Sequence, residues 1–419
     1  MLIRFEVENF RSIAREAELS MVAVDRDRDA TVAMEPLGQS LLKVAGIYGP
    51  NASGKSNVLA ALNWLCDGIA TSLRFWDESI PFDPFAFGAG PGKPSRFVLE
   101  LSVDGVRFEY SLEVDSEKVV SEALFHFPKK LRRRIFERSG GSLLFQRGLG
   151  RLSGTKELLT DRTLVMSVAP RFDEPLVTAF AQQVRQIQTL GPSGFFPRRS
   201  AYGRHRVFLP SRVRTERWFD DEIERHTDER GRALSLLKLA DLGIDDVMID
   251  EDEVQSADSP ESRVQKSLKL VHRVSTTSEP LGYEQESAGT RTWFRLIGPT
   301  LQALRQGSLV VVDELDASLH PTLAAELVHL FHRPDTNPLC AQLVFTSHDT
   351  SLLNHLNRDE VWLTEKGDDG VTVLGSLAEF AGERVRKHVS IESGYLHGRF
   401  GALPQVDRIG FLRSLGLIG

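Results

Sequence analysis

The sequence contains few cysteines, no long hydrophobic run and no excess of basic residues. Its only cysteines are Cys66 and Cys340, too few for a disulfide scaffold, and neither has the spacing of a metal ligand. The longest apolar runs are far shorter than the roughly 20 residues of a membrane helix, so no membrane span is expected. Residues 1–6 carry charge where a signal peptide needs an apolar stretch, which predicts a cytoplasmic location. With 51 basic and 58 acidic residues, any contact with nucleic acid would need a local basic patch.

What remains is the composition of a folded globular chain, with 41% hydrophobic and 26% charged residues. A length of 419 residues suffices for two or three lobes. Residues 2–10 alternate apolar and polar side chains, and residues 41–48 form a short apolar run, so both stretches predict strands. Helical spacing follows from Ser56 to about Ile69. From residue 96 to about 145 the period is two, and Asp104-Gly105 predicts a hairpin turn in an antiparallel meander.

The second half of the chain contains two different patterns. Residues 151–280 predict a mostly helical insert, in which 250–253 and 256–262 form a surface turn. After Leu281 the order loop, helix, buried strand, helix, buried strand favours a mainly parallel sheet covered by helices. We therefore expect four segments, at 1–95, 96–150, 151–280 and 281–419.

The strongest motif is Gly49-Pro50-Asn51-Ala52-Ser53-Gly54-Lys55-Ser56, which lies between a predicted buried strand and a predicted helix. Small residues allow backbone N–H groups to surround a phosphate, and the helix start adds a favourable dipole. In such a loop Lys55 contacts the β- and γ-phosphates, and the Ser56 hydroxyl ligates Mg²⁺. The sequence thus predicts a binding site for a nucleoside triphosphate.

A second motif ends an apolar strand with two acids, in Leu309-Val310-Val311-Val312-Asp313-Glu314. We expect Asp313 to hold Mg²⁺ and Glu314 to activate the attacking water. A third strand, 343–346, leads to His348, a candidate donor to the γ-phosphate or else a structural histidine. Because ligands bind at the carboxyl ends of parallel strands, Lys55, Glu314 and His348 are expected at one edge of the sheet.

A fourth motif, Glu286-Ser287-Ala288-Gly289-Thr290-Arg291-Thr292, precedes a predicted helix from Trp293 to Leu304. Small and hydroxylated residues at a helix start can form a second anion site. An ordinary helix cap is the alternative. One chain could use both anion sites on a single triphosphate only if they approached it from opposite sides.

The order of these motifs resembles the ATP-binding-cassette ATPases of the SMC and RecF type. The resemblance implies an α/β ABC/SMC-type ATPase head with a mainly parallel core sheet, an antiparallel β lobe and an inserted helical lobe. It also implies that Ser287 and Gly289 of one subunit cap the ATP held by the phosphate loop of another, so that ATP joins two heads. The nucleotide-binding residues would then be Gly49, Asn51, Gly54, Lys55, Ser56, Asn57, Ser287 and Gly289.

A narrower resemblance is to the bacterial RloA/AbiLi-like ATP-binding proteins. It rests on residues 5–13, 49–57, 313–321, 347–350, 358–362 and 394–404. It implies a role in phage defence, in which a homodimer or higher homo-oligomer gates a separately encoded effector, often a nuclease. The alternatives are a DNA-clamping repair ATPase, a nucleotide-sensing scaffold, and a nuclease with its own Toprim domain. The last is disfavoured because only residues 349–419 follow His348.

Two features depart from the pattern or extend it. The loop after Glu314 contains Asp316 and His320, as in RecF-like heads, and not the aspartate of transporter-type heads. The Q-loop glutamine is not assigned: Gln182, Gln183, Gln186 and Gln188 are candidates, with exposed helical glutamines as the alternative.

Nucleic-acid binding is an alternative function because the sequence contains two basic clusters. One cluster is 129–134, and the other contains Arg198, Arg199, Arg204, Arg206, Arg212 and Arg214 with interleaved Phe195, Phe196, Tyr202 and His205.

Overall fold

The structure is a computed structural model of the chain. It describes residues 1–25, 28–34, 38–146, 148–149, 154–191, 214–219, 227–241, 243–255, 262–274, 277–381 and 391–400. No helix in this described part is both long and apolar enough to cross a membrane.

The helices and strands of the described residues are numbered in chain order. The helices are α1 Lys55–Phe75, α2 Thr155–Leu158, α3 Val165–Val168, α4 Pro175–Arg185, α5 Thr227–Ala240, α6 Ala288–Gln306, α7 Pro321–His332, α8 Leu377–Ala381 and α9 Ile391–Leu396. The first ten strands are β1 Leu2–Glu8, β2 Ala17–Ser20, β3 Thr31–Met34, β4 Gln39–Leu42, β5 Val44–Tyr48, β6 Ser95–Val103, β7 Val106–Val114, β8 Val119–His126, β9 Arg133–Ser139 and β10 Ser142–Phe145. The others are β11 Gln188–Leu190, β12 Ile244–Gln255, β13 Ser262–Val274, β14 Thr277–Gly282, β15 Leu309–Val312, β16 Gln342–Thr346, β17 Val361–Lys366 and β18 Thr372–Ser376.

A six-stranded, mainly parallel sheet forms the centre of the molecule, in the order β11-β15-β16-β5-β17-β18. All neighbouring pairs are parallel except β17 and β18. The predicted strand at 41–48 is divided in two at Lys43, whose buried ammonium donates to the carbonyls of Asp29 and His332. The parallel core sheet predicted from the sequence is confirmed.

Helices cover both faces of this sheet. In β5, Ala45 and Ile47 belong to one hydrophobic cluster with α1 and α4, whereas Val44 and Tyr48 belong to a second cluster with α6 and α7. Strands buried on both faces are apolar throughout, which is why these segments of the sequence show continuous hydrophobic runs rather than alternation.

An antiparallel sheet of seven strands packs beside the core, in the order β10-β9-β8-β7-β6-β1-β2. The hairpin between β6 and β7 turns at Asp104 and Gly105, which have φ angles of 49° and 77°, as the dipeptide predicts. Because β1 and β2 join it, this sheet extends beyond the 96–150 segment. The α/β fold class with an antiparallel lobe is confirmed.

The inserted segment differs from the helical prediction. It contains α2 to α5, but residues 244–282 form an antiparallel sheet of β12, β13 and β14. The signal for these strands is a period of two, because Val247 faces Leu270 and Ile249 faces Leu268 across the pair. Residues 250–253 therefore lie in β12 and not in a surface turn, and residues 256–261 lie outside the described part of the chain.

Candidate functional site

The phosphate loop follows β5 and ends at the start of α1. Gly49 and Gly54 have backbone φ angles of 152° and 101°, which residues other than glycine rarely adopt. A Cβ atom on Gly54 would collide with the side chains of Thr372 and Ser12. Gly54 occupies the capping position of α1 without a side chain, an arrangement suited to an anion at the helix start. The loop thus has the backbone geometry that phosphate binding requires.

Lys55 is buried beneath this loop, with its Nζ atom 2.8 Å from the Gly49 carbonyl oxygen and 3.0 Å from that of Pro50. Burial lowers the pKa of Lys55 to about 8, against the opposing effect of the Asp313, Asp316 and Glu314 charges. The ammonium therefore lies inside the concave loop and close to the acidic segment after β15.

Hydroxyl groups from distant parts of the chain hold the loop in place. The Ser53 hydroxyl is 2.6 Å from that of Thr364, and the Thr372 hydroxyl donates to the Ser53 carbonyl at 2.8 Å. The Asn57 side-chain amide donates to the Ser12 hydroxyl at 2.6 Å. The two threonines have no signal in the sequence, because single threonines at strand positions belong to no motif. Asn57, a predicted nucleotide ligand, donates from its amide to Ser12 in the structure.

The two acids after β15 have different surroundings. Asp313 is buried and accepts a hydrogen bond of 2.7 Å from the Thr346 hydroxyl, which in turn accepts one of 2.7 Å from the Glu314 N–H. The Glu314 side chain is exposed, and its backbone has a φ angle of 56°. A non-glycine residue in this conformation is strained, a feature that clusters at functional sites. Thr346 was not predicted, and a polar residue ending an apolar strand is the signal for it.

The carboxyl ends of the three central strands lie side by side. Val312 is opposite Phe345, and Thr346 is opposite Ile47, so the segments that begin at Asp313, Ser347 and Gly49 are adjacent. The structure thereby brings Lys55, Asp313 and Glu314 together. His348 follows the middle strand, with an exposed side chain and a backbone N–H that donates to the Asp316 carboxylate at 3.1 and 3.3 Å.

The remaining predicted ligands of the loop lie at its surface. Asn51 is exposed, and Ser56 is half-buried in the first turn of α1. No group of three or more His, Cys, Asp or Glu side chains that could hold a metal ion occurs in the part of the chain that the structure describes. The donor set of the Ser56 hydroxyl and the Asp313 carboxylate consists of hard oxygen atoms, which fits Mg²⁺.

Ser287 caps α6, which begins at Ala288 rather than at the predicted Trp293. Its hydroxyl oxygen accepts from the Thr290 N–H at 3.0 Å, and its side chain is exposed. Gly289 lies close to the loop after Glu314, because a Cβ atom there would be 2.9 Å from the Ser318 carbonyl oxygen. An ordinary cap is therefore present, and it lies at the surface beside that loop.

A cavity of about 250 Å³ separates the acids from α6. Its walls include Asp313 and Glu314, the end of β11 at Leu190 and Gly191, and Arg295 of α6. Among the candidate glutamines, Gln182 and Gln183 lie in α4 and Gln186 caps its end, whereas Gln188 is opposite Val310 at the start of β11. These four glutamines are therefore not at the carboxyl edge of the sheet.

The first basic cluster is partly neutralised by acids of its own sheet. Arg132 contacts Glu109 at 2.6 Å and lies 3.6 Å from the Phe125 ring centroid, and Arg134 contacts Glu137 at 2.9 Å. Of the second cluster only Arg214 is described, because 192–213 lie outside the described residues.

Comparison with known proteins gives a family and a set of similar folds. The matched family is described as "AAA domain, putative AbiEii toxin, Type IV TA system", over residues 44–164 and 191–354. The SMC head domain from Thermotoga maritima is 13% identical with a TM-score of 0.39, covering 90% of this chain and 98% of that one. A structure titled as the SmcHead bound to the C-winged helix domain of ScpA is 11% identical with a TM-score of 0.43, covering 94% and 99%. No curated protein matches. Since the family match spans more than half of its residues, the chain belongs to this AAA family and is a nucleotide-binding protein of the ATPase class.

Proposed function

We propose that this chain is a slow, regulated ATPase that dimerises on ATP and gates a separately encoded effector, a nuclease or toxin, in bacterial defence against phage. The observation that carries the proposal is the meeting of Lys55, Asp313 and Glu314 at one sheet edge, while Ser287 is exposed on a different element. The first three residues are suited to binding and cleaving a triphosphate. The exposed serine leaves a second anion site available to another copy.

In this proposal each residue of the site has its own role in ATP hydrolysis. The Lys55 ammonium exchanges its carbonyl partners for phosphate oxygens. Mg²⁺, held by Ser56 and Asp313, would neutralise charge that develops on the phosphates. Glu314 accepts a proton from water as the water oxygen bonds to the γ-phosphorus and the bond to the β-γ bridging oxygen breaks, releasing ADP and phosphate. His348 stabilises charge on the γ-phosphate.

A dimer completes the site in this proposal. Two copies face each other so that Ser287 and Gly289 of one approach the triphosphate bound at Lys55 of the other. The position of Gly289 beside Ser318 supports this arrangement, because the signature and the loop after Glu314 then belong to one continuous surface. Hydrolysis removes the shared γ-phosphate and separates the copies.

The biological setting rests on the family and on the narrower resemblance to RloA/AbiLi-like proteins. The family description names a toxin–antitoxin system. Such a system has two components, which supports the action of this chain together with a second protein. The alternative, a DNA-clamping repair ATPase, would use the basic clusters. In the first cluster, 129–134, the pairing of Arg132 with Glu109 and of Arg134 with Glu137 reduces the positive charge available to nucleic acid. We therefore favour the defence switch.

The first test is Glu314→Gln, which removes the proton acceptor while retaining the shape of the side chain. We expect hydrolysis to fall by about 100-fold or more, and the variant to accumulate as a dimer with Mg-ATP but not with ADP. Light scattering on a sizing column and phosphate release measure the two effects. The control is Glu117→Gln, an exposed acid in the turn after β7, which should behave like the native chain. A Glu314→Gln variant that hydrolyses ATP at the native rate contradicts the proposed mechanism.

A second test addresses the effector. The chain is expressed with the gene beside it, and phage plaques are counted. We expect protection with the native pair and none with Lys55→Ala or with either gene alone. Equal protection by the Lys55→Ala pair would contradict ATP-dependent gating.

A further inference from the structure

The residue before the exposed cap serine is a buried acid that contacts a histidine of the inserted segment. Glu286 has a side chain that is only 4% exposed, and its Oε1 atom is 2.8 Å from Nε2 of His272. We assign the imidazole N–H as the donor and the carboxylate oxygen as the acceptor. This bond therefore links the start of α6 to another part of the molecule, and it plays no part in the chemistry described above.

His272 belongs to the central strand of the inserted sheet. It pairs through its backbone with Ile244 of β12 and Glu279 of β14, and its Nδ1 atom is 3.9 Å from the Asp241 carboxylate at the end of α5. The imidazole thus lies between two acids from different elements. A movement of β13 would move the partner of Glu286.

The inserted segment also contacts α6 directly. β14 ends at Gly282, and a single turn, Tyr283–Gln285, connects it to Glu286. The Tyr283 hydroxyl donates to the Arg291 carbonyl at 3.1 Å, and the Trp293 indole N–H donates to the Leu236 carbonyl of α5 at 2.6 Å. The first two turns of α6 are therefore held by the insert, and Glu286 is the contact nearest to Ser287.

We propose that His272 and Glu286 are positioning residues, through which the inserted sheet of β12, β13 and β14 sets the location of Ser287 at the ATP seam. This inference rests on the proposed dimer. A buried carboxylate that loses its donor must recover one from water, so the segment that carries it shifts outward. Because Ser287 is the next residue, the serine shifts with it, whereas the phosphate loop is unaffected. A partner that binds the inserted sheet would act on hydrolysis through this bond.

The experiment compares three substitutions on β13. His272→Leu removes the donor, and His272→Gln retains a side-chain N–H. Arg273→Leu is the matched control, because Arg273 is the adjacent residue and pairs instead with Asp245, at 2.6 Å on the exposed surface. Each is measured for ATP affinity, kcat, dimer formation in a Glu314→Gln background, and hydrogen exchange of residues 284–292.

We expect His272→Leu to bind ATP within twofold of the native affinity, while kcat and the dimer association constant fall about tenfold, the size of one hydrogen bond to a charged group. Exchange of the Thr290 amide, which donates to Ser287, should rise. His272→Gln should restore kcat and association to within threefold, and Arg273→Leu should match the native chain. If His272→Leu does not fold, His272→Phe takes its place, since it fills the volume without a donor.

Two results distinguish the failure of this inference from that of the proposed function. If the donorless variant dimerises and turns over like the native chain while Ser287→Ala is impaired, the positioning role is wrong and the dimer stands. If Ser287→Ala itself dimerises and hydrolyses normally, the proposed seam is wrong and this inference falls with it.

Discussion

The two helix starts that the sequence predicts as anion sites have opposite surroundings. α1 begins at Lys55, which is buried, and the capping residue before it is Gly54, which has a left-handed backbone and no side chain. α6 begins after Ser287, which has extended backbone and caps its own helix through Thr290. The first start is enclosed by strands and threonines of its own chain, and the second is exposed. The groups around the first start therefore come from distant parts of the chain, whereas the second start is capped by its own serine.

The enclosed start depends on distant residues, and the exposed one depends on local ones. Ser53 and Gly54 contact Thr364 and Thr372, more than 300 positions further along the chain. The hydroxyl of Ser287 contacts Thr290, three positions away. The difference predicts that substitutions at the first start affect nucleotide binding and folding, whereas those at the second affect the assembly of two copies.

The largest expected effect is that of Lys55→Ala. The substitution removes the only charge that the loop directs at the phosphates, so ATP affinity should fall by about 100-fold or more. Titration with a fluorescent ATP analogue measures it, and Lys118→Ala, an exposed lysine between β7 and β8, is the control. Binding within a few-fold of native would refute the role of the enclosed start.

Gly54→Ala should have the next largest effect, on folding. The substitution places a Cβ atom against Thr372 and Ser12 in a left-handed backbone, which should lower the free energy of unfolding by about 2–3 kcal/mol. Gly231→Ala in α5 is the matched control, because no atom lies within 4 Å of a Cβ atom built there, and it should cost less than about 1 kcal/mol. Urea denaturation that gives equal losses at both glycines would remove the contrast.

The pH dependence of ATP affinity provides a third test. Burial lowers the pKa of Lys55 to about 8, so in the nucleotide-free chain the amine is charged below that pH and neutral above it. Phosphates bind the charged form, and binding therefore takes up a proton once the pH exceeds 8. Affinity should be nearly constant from pH 7 to 7.5 and should fall by up to about tenfold per pH unit above pH 8.5. A flat profile to pH 9.5 at constant ionic strength would contradict this account.

The smallest effect on folding is expected at the exposed start. Ser287→Ala removes the acceptor for the Thr290 N–H and should lower the free energy of unfolding by about 1 kcal/mol. ATP binding to the monomer should be unchanged, and hydrolysis should fall about tenfold because the second copy contributes no cap. Ser235→Ala, an exposed serine of α5, is the control. Normal hydrolysis by Ser287→Ala would break the distinction between the two starts.

Several elements were predictable because their signals are local. The Asp104-Gly105 turn requires only two residues that tolerate positive φ, and the apolar strands that precede Gly49, Asp313 and Ser347 require only short hydrophobic runs. The sequence predicts helices where the inserted sheet lies, because its strands contain many charged residues and resemble a polar helix. Its pairing of Val247 with Leu270 is visible only when the two strands are compared.

The sequence alone determined the phosphate loop, the acids that end β15 and the order of strands and helices around them, because these features depend on neighbouring residues and their periodicity. Only the tertiary structure decided that Thr346 links Asp313 to the Glu314 backbone, that Thr364 and Thr372 close the loop, and that His272 holds Glu286. A hydrogen bond between residues far apart in the chain leaves no periodic trace, since any of many serines, threonines or histidines could supply it. The partner is known only once the fold has placed the strands beside one another.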